Sequence, residues 1–191
     1  MLELVYTQGM VPLISSQKQT KTASESEILP VVEPTGEVIA RADRKTCHQE
    51  RLLHPVVHLH VVNRRGEVFL QKRSASKKMH PSMWDISAAG HVEFGEYFEQ
   101  TVHREAAEEI GLLDFNPQYL DNYVYTVPEE KELVNIYGVV GNFVLDPHNE
   151  EVEMGAYWSV EEIEENIGKG VFTPGFEFDW AHYKKQLLAL L

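Results

Sequence analysis

Between residues 104 and 109 the chain reads Arg-Glu-Ala-Ala-Glu-Glu, and the spacing of its acids could do chemistry. In a helix, Glu105, Glu108 and Glu109 stand at i, i+3 and i+4, so their carboxylates converge on one face. Like charges at that spacing cost a helix roughly 0.2–0.5 kcal/mol per pair. A divalent cation relieves such a cluster, and all-oxygen ligation suits a hard ion, Mg²⁺ or Mn²⁺. The bland alternative is a solvated acidic face, which explains most Glu runs. Helicity is expected here. From Glu96 onward Phe98, Val102, Ala106 and Ile110 recur every four residues as one apolar stripe. Gly111 stands where a left-handed cap ends a helix, and Leu112 follows as its hydrophobic contact.

The wider pattern is more specific. Gly90, five residues, Glu96, seven residues, Arg104-Glu105, an apolar and a free position, Glu108-Glu109, a free position, Gly111 and an apolar residue fill every fixed position of a motif. This stretch resembles the Nudix box. The resemblance implies an α/β/α sandwich with a mixed, largely antiparallel sheet. It also implies a reaction, hydrolysis of a diphosphate linkage in a nucleoside diphosphate joined to another group, with a divalent cation as cofactor. Diphosphates repel nucleophiles, and cations held by carboxylates offset that charge and acidify a bound water. Carried over position by position, Glu105, Glu109 and Glu108 resemble the metal ligands, with the carbonyl of Gly90 as a further donor. Glu96 is similar to the supporting residue at the helix start. Arg104 is expected to orient the carboxylates, since a guanidinium can bridge two of them. The general base falls to Glu93 in the box loop or to Glu150, Glu151 or Glu153 further on, and Glu151 is taken forward. Arg73 and Lys72, then Lys77 or Lys78, are the candidates for holding substrate phosphate. Trp84 and Phe94 could stack a base, although Trp84 suits core packing better.

A second resemblance runs through the flanks. Cys47-His48, Leu53-His54, Asn63, Gly66 and Gly90-His91 are similar to type I isopentenyl-diphosphate isomerases, which share the Nudix fold. It implies that His48, His54 and His91, with a glutamate of the box helix, hold a metal. That family also needs a cysteine in the strand just before its Gly-His pair, as proton donor. Here the stretch is Ser87-Ala88-Ala89, and Cys47 lies far off in sequence. A hydrolase is therefore expected over an isomerase. A Nudix-fold ligand sensor without turnover is the rival from another class.

The elements that must position these groups read as follows. Residues 1–28 form a partly flexible leader, and residues 29–191 a single domain. Ile28–Val32 and Glu37–Ala40 flank Pro34-Thr35-Gly36 as a hairpin. A short helical turn follows before Arg51. Pro55–Val62 is a strand with Val57, Leu59 and Val61 on one side and Val56, His58, His60 and Val62 on the other. Glu67–Lys72 returns beside it, and Trp84–Ala88 is a strand running into Gly90. Gln118–Val127 and Leu133–Leu145 make a second hairpin, and Tyr157-Trp158 a short strand. Ser159 and Glu162 form a capping box. Pro174 opens a last helix that buries Phe176, Trp180, Tyr183, Leu187 and Leu190.

Composition sets outer bounds. The 191 residues suit one domain with an ample core, and 43% apolar with 25% charged residues is ordinary for a globular protein. The net charge of −13 argues against a nucleic-acid partner. That charge is uneven: residues 41–80 hold ten Lys/Arg against three Asp/Glu, while 128–165 hold one against eleven. A basic segment beside an acidic metal site suits a small-molecule diphosphate substrate. A single Cys, with no basic-then-apolar leader and no 18-residue apolar run, predicts a reducing cytoplasm and no membrane association. A homodimer is compatible with the fold.

Overall fold

The computed structural model describes residues 27–191 apart from 129, 148 and 149. The leader reading therefore lies outside the described residues, save for Glu27 and Ile28. In chain order the elements are β1 (Ile28–Val32), β2 (Val38–Asp43), α1 (Arg44–Glu50), β3 (His54–Val62), β4 (Val68–Arg73), β5 (Trp84–Asp85), β6 (Ala88–His91), α2 (Phe98–Ile110), β7 (Gln118–Thr126), β8 (Lys131–Val140), β9 (Val152–Trp158), α3 (Val160–Asn166) and α4 (Pro174–Leu188).

The main sheet runs β5-β4-β3-β8-β7, with β6 also on β3 and β9 also on β4. β3 and β8 are parallel along nine residue pairs, His54↔Glu132 to Val62↔Val140, and the other pairings are antiparallel. On the other edge of β3 the far end meets β4 at Val61 and Val62, while the near end meets β6 from Val56 to Leu59. β4 and β6 thus part along one strand. β1 and β2 form a separate hairpin.

The alternation along β3 sorts the layers. Val57, Leu59 and Val61 pack with Val102, Ala106 and Ile110 of α2. Val62 packs with Ile163 of α3 and with Phe176 and Trp180 of α4, and Val56 with Tyr183 and Leu187. The result is the expected helix–sheet–helix sandwich. The helix signals read locally hold as well. Gly111 ends α2 at φ 68, Ser159 and Glu162 close a capping box on α3, and Pro174 follows the N-cap Thr173 of α4.

Three strand readings change. The expected strand Trp84–Ala88 is two, because Trp84 and Asp85 pair with β4 while Ala88–His91 pairs with β3. Between them Ser87 turns inward, its Oγ donating to the Phe69 carbonyl and accepting from the Val61 amide. β8 stops at Val140 rather than running to Leu145, and β9 starts at Val152, well before Tyr157. Phe176 has no exposed surface and stands at the centre of the α4 layer. Phe176→Ala is expected to cost about 3–5 kcal/mol of stability, read from urea denaturation.

Candidate active site

α2 crosses the strand that leads into it, so its acidic face looks back over β6. Gly90 makes that approach possible: a side chain there would occupy the position of the Glu105 carboxylate. Arg104 ties the group together. Its Nε and Nη2 donate to Glu96 at 2.9 and 3.0 Å, and its Nη1 donates to Glu105 at 2.6 Å and Glu108 at 3.5 Å. Nη2 also donates to the His91 carbonyl at 3.0 Å, which fixes the box loop against the helix. Glu96 is completed by Thr101 Oγ1 and by the Glu93 amide. Glu109 accepts from the Ala89 amide and from Gln71 Nε2 of β4, both at 2.9 Å, so it sits where β4 and β6 part.

Burial and mutual repulsion act on these acids. Burial, only partly offset by Arg104, pushes Glu105 up to about 7. Burial and the charge of Glu105 push Glu109 up to about 8. Glu105, Glu108, Glu109 and Gly90 share the wall of one cavity of about 260 Å³. Oxygen donors crowded on one wall in this way suit a hard divalent ion.

Four cations line the same cavity: Arg44, Arg73, Lys77 and Arg104. Arg73 pairs with Asp85 at 2.8 Å, Arg44 with Glu27 at 3.3 Å and Lys77 with Glu151 at 2.6 Å. Of the base candidates Glu150 and Glu151 reach the cavity; Glu93 and Glu153 are not in its wall. Lys72, expected to hold phosphate, is not in the wall either. It pairs with Glu153 across β4 and β9 at 3.1 Å, because neighbouring residues of a strand project to opposite faces. Lys78 is likewise outside the wall. Trp84 stacks edge-on against Trp158 in the core, and Phe94 lies under Arg41 at the surface.

The three histidines do meet. His48 of α1, His54 of β3 and His91 of β6 place one ring nitrogen each within 4.8 Å of one another. His48 Nε2 and His91 Nε2 stand 3.3 Å apart. His54 turns Nδ1 to the Leu52 carbonyl at 2.8 Å, and its buried Nε2 has no hydrogen-bond partner among the described residues. Burial holds all three below the usual histidine range, so they are neutral rings with lone pairs to offer. Glu130 and Glu132 stand beside them, 3.6 Å from His48 and 3.9 Å from His91. An orphaned nitrogen among neutral imidazoles and carboxylates suits a borderline metal such as Zn²⁺ or Mn²⁺.

The family model for the NUDIX domain matches residues 52–176. The chain belongs to the Nudix hydrolase family. Members of this family generally use a divalent metal. The chain is 32% identical over 152 residues to an uncharacterized Nudix hydrolase of Nostoc sp., covering 75% of this chain and 87% of that one. It is 28% identical over 170 residues to an isopentenyl-diphosphate Delta-isomerase of Clavibacter michiganensis, covering 85% and 86%. Among solved structures, DR0079 of Deinococcus radiodurans superposes with a TM-score of 0.68 at 23% identity, over 84% of this chain and 99% of that one. No helix among the described residues is long and apolar enough to cross a membrane.

Several residues of this Nudix site escaped the sequence reading. Gln71, Arg44, Asp85 and Glu132 had no motif to mark them. Asp179 did leave a signal: a charge inside the apolar stripe of α4, three residues after Phe176 and four before Tyr183. It is fully buried and joins His58, His60 and Tyr123.

The raised carboxyls of Glu105 and Glu109 bind protons more tightly in the folded chain than in the unfolded one. Their contribution to stability is complete below about pH 4.5 and is lost as pH rises through 7 to 8. The melting temperature of metal-stripped protein in EDTA is expected to fall over that window. Glu109→Gln is expected to flatten the fall, and Mg²⁺ to restore most stability at the alkaline end.

Proposed function

We propose that this Nudix hydrolase cleaves the diphosphate linkage of a nucleoside-diphosphate-type small molecule with Mg²⁺ or Mn²⁺. One observation carries the reading: the box carboxylates share the wall of one cavity with Arg44, Arg73, Lys77 and Arg104. Glu105 and Glu109, with Glu108 and the Gly90 carbonyl, would hold the divalent ion. When bound, such an ion offsets phosphate charge and lowers the pKa of a water. Arg104 keeps the carboxylates in register through its bonds to Glu96, Glu105 and Glu108. Arg73, Lys77 and Arg44 would take the phosphate oxygens, exchanging their present carboxylate partners for substrate. Glu151, whose partner Lys77 would turn to phosphate, is the base of choice. Positioning and charge then supply most of the rate. The uneven charge of the chain supports a small anionic substrate, and its single cysteine supports a reducing, cytoplasmic setting.

The test is a phosphate-release screen over nucleotide sugars, dinucleotides, coenzyme A and nucleoside di- and triphosphates with each metal. On the best substrate Glu109→Gln is expected to lower kcat/KM by about 10²-fold or more, the order reported for a lost electrostatic stabiliser. Undiminished turnover in that variant would remove the reading.

The histidine group supports a second reading, an isomerase-like site for prenyl diphosphates with His48, His54 and His91 holding a second metal. Against isomerisation stands the chemistry of β6. The pocket residue before Gly90 is Ala89, and Cys47 is fully buried among Leu29 and Val31. The site is therefore proposed to bind a metal without supplying the thiol acid. Metal analysis after exhaustive dialysis is expected to find one equivalent of a transition metal more in the wild-type protein than in His54→Ala. Equal content in both proteins would rule the second ion out.

A further inference from the structure

The cavity extends beyond the carboxylates and phosphate-facing cations, and its far wall is built by a residue that the box chemistry does not use. His58 stands opposite Ala89 in the β3–β6 pairing, on the strand face turned to α4, and its ring lines the cavity. Its Nδ1 is taken by Asp179 Oδ2 at 2.8 Å. Asp179, with no exposed surface, also accepts from His60 Nε2 at 3.0 Å and from the Tyr123 hydroxyl at 2.6 Å. A buried carboxylate needs donors, and His60 and the Tyr123 hydroxyl supply two. His58 and Tyr123 both line the cavity; the Tyr123 hydroxyl is spent on Asp179, whereas His58 keeps a second ring nitrogen, Nε2, as its polar atom for a ligand. Gly175, in the first turn of α4, lines the same cavity and has no atom within 4 Å of where a side chain would begin, so there is open space beside it.

We propose that His58, oriented by Asp179, is a specificity-determining residue that forms a hydrogen bond from Nε2 to a hydroxyl or carbonyl oxygen of the group carried by the diphosphate. The substrate class is then a diphosphate bearing a hydroxylated group, a nucleoside or sugar, and a hydrocarbon chain is disfavoured. This rests on the reading that the diphosphate lies at the box carboxylates. The physical reason is asymmetric. A hydrocarbon pressed against His58 strips water from Nε2 and returns no hydrogen bond, whereas a hydroxyl replaces that water. Sites built for a polar partner reject analogues lacking it strongly, while apolar sites reject added hydroxyls weakly. Burial disfavours the charged ring, but the charge and hydrogen bond of Asp179, with the charges of Glu132 and Asp85, together outweigh it and raise the affinity of His58 for its second proton, so Nε2 can donate as well as accept.

The experiment measures dissociation constants by calorimetry for ADP-ribose, UDP-glucose and geranyl diphosphate with Mg²⁺, on the Glu109→Gln background so that turnover does not interfere. Protein with His58 intact is expected to prefer a hydroxylated probe over geranyl diphosphate by tenfold or more. Adding His58→Leu is expected to reduce that preference at least tenfold, and His58→Gln, which keeps a polar group, to restore part of it. Melting curves confirm that each variant is folded; should His58→Leu unfold, the wild-type preference and the His58→Gln shift decide. Absence of a preference in the protein with His58 intact, or equal weakening of all probes by the His58 variants, overturns the proposal. Failure of the hydrolase reading shows separately, as full turnover by Glu109→Gln with His58 intact.

Discussion

Three carboxylates on successive turns of one helix repel each other, and one guanidinium holds two of them, Glu105 and Glu108, at a common wall. Arg104 spans Glu96, Glu105 and Glu108 and reaches the His91 carbonyl on the strand below. That strand can pass so close because residue 90 lacks a side chain. The rest of the structure serves this contact. The apolar stripe of α2 seats the helix on β3, and Gly111 turns the chain away before the acidic face meets the next segment.

The second constraint is the parting of the sheet. β3 pairs along its full length with β8, but on its other edge β4 leaves and β6 takes over. Polar groups at such a break find other partners, and here the Gln71 side-chain amide and the Ala89 backbone amide both donate to Glu109. The break therefore opens the cavity and fixes the deepest carboxylate in one stroke. It also explains how side chains from the α4 face of β3 line a pocket shared with acids from the α2 layer.

What was legible in the sequence was local. The stripe of α2, its glycine cap, the capping box of α3 and the proline of α4 are all written in residues a few positions apart, and all hold. The meeting of His48, His54 and His91 was legible only through resemblance, since nothing in their spacing brings 48 and 91 together. The division of β5 from β6 was not legible, because Trp84 to Ala88 has strand character throughout and the break is decided by which partner each end meets. Lys72 and Lys77 show the same limit. Both are cations near the end of β4, and only the placement of β9 decides that one faces Glu153 and the other the cavity. Asp179 was visible as a charge in an apolar stripe, yet its partners lie 56 and more residues away.

The clamp formed by Asp179 has a consequence for modularity. The matched NUDIX region runs from residue 52 to 176, yet the carboxylate that holds β3 and β7 to the last helix lies just past its end, and His48 lies just before its start. The region that the family model covers and the region that forms a complete pocket are different lengths. A fragment trimmed to residues 52–176 would keep the acids of the box and lose both the carboxylate that orients His58 and one of the three clustered imidazoles. Completion of the pocket thus depends on the two flanks of the chain, which close over the centre that the family model covers.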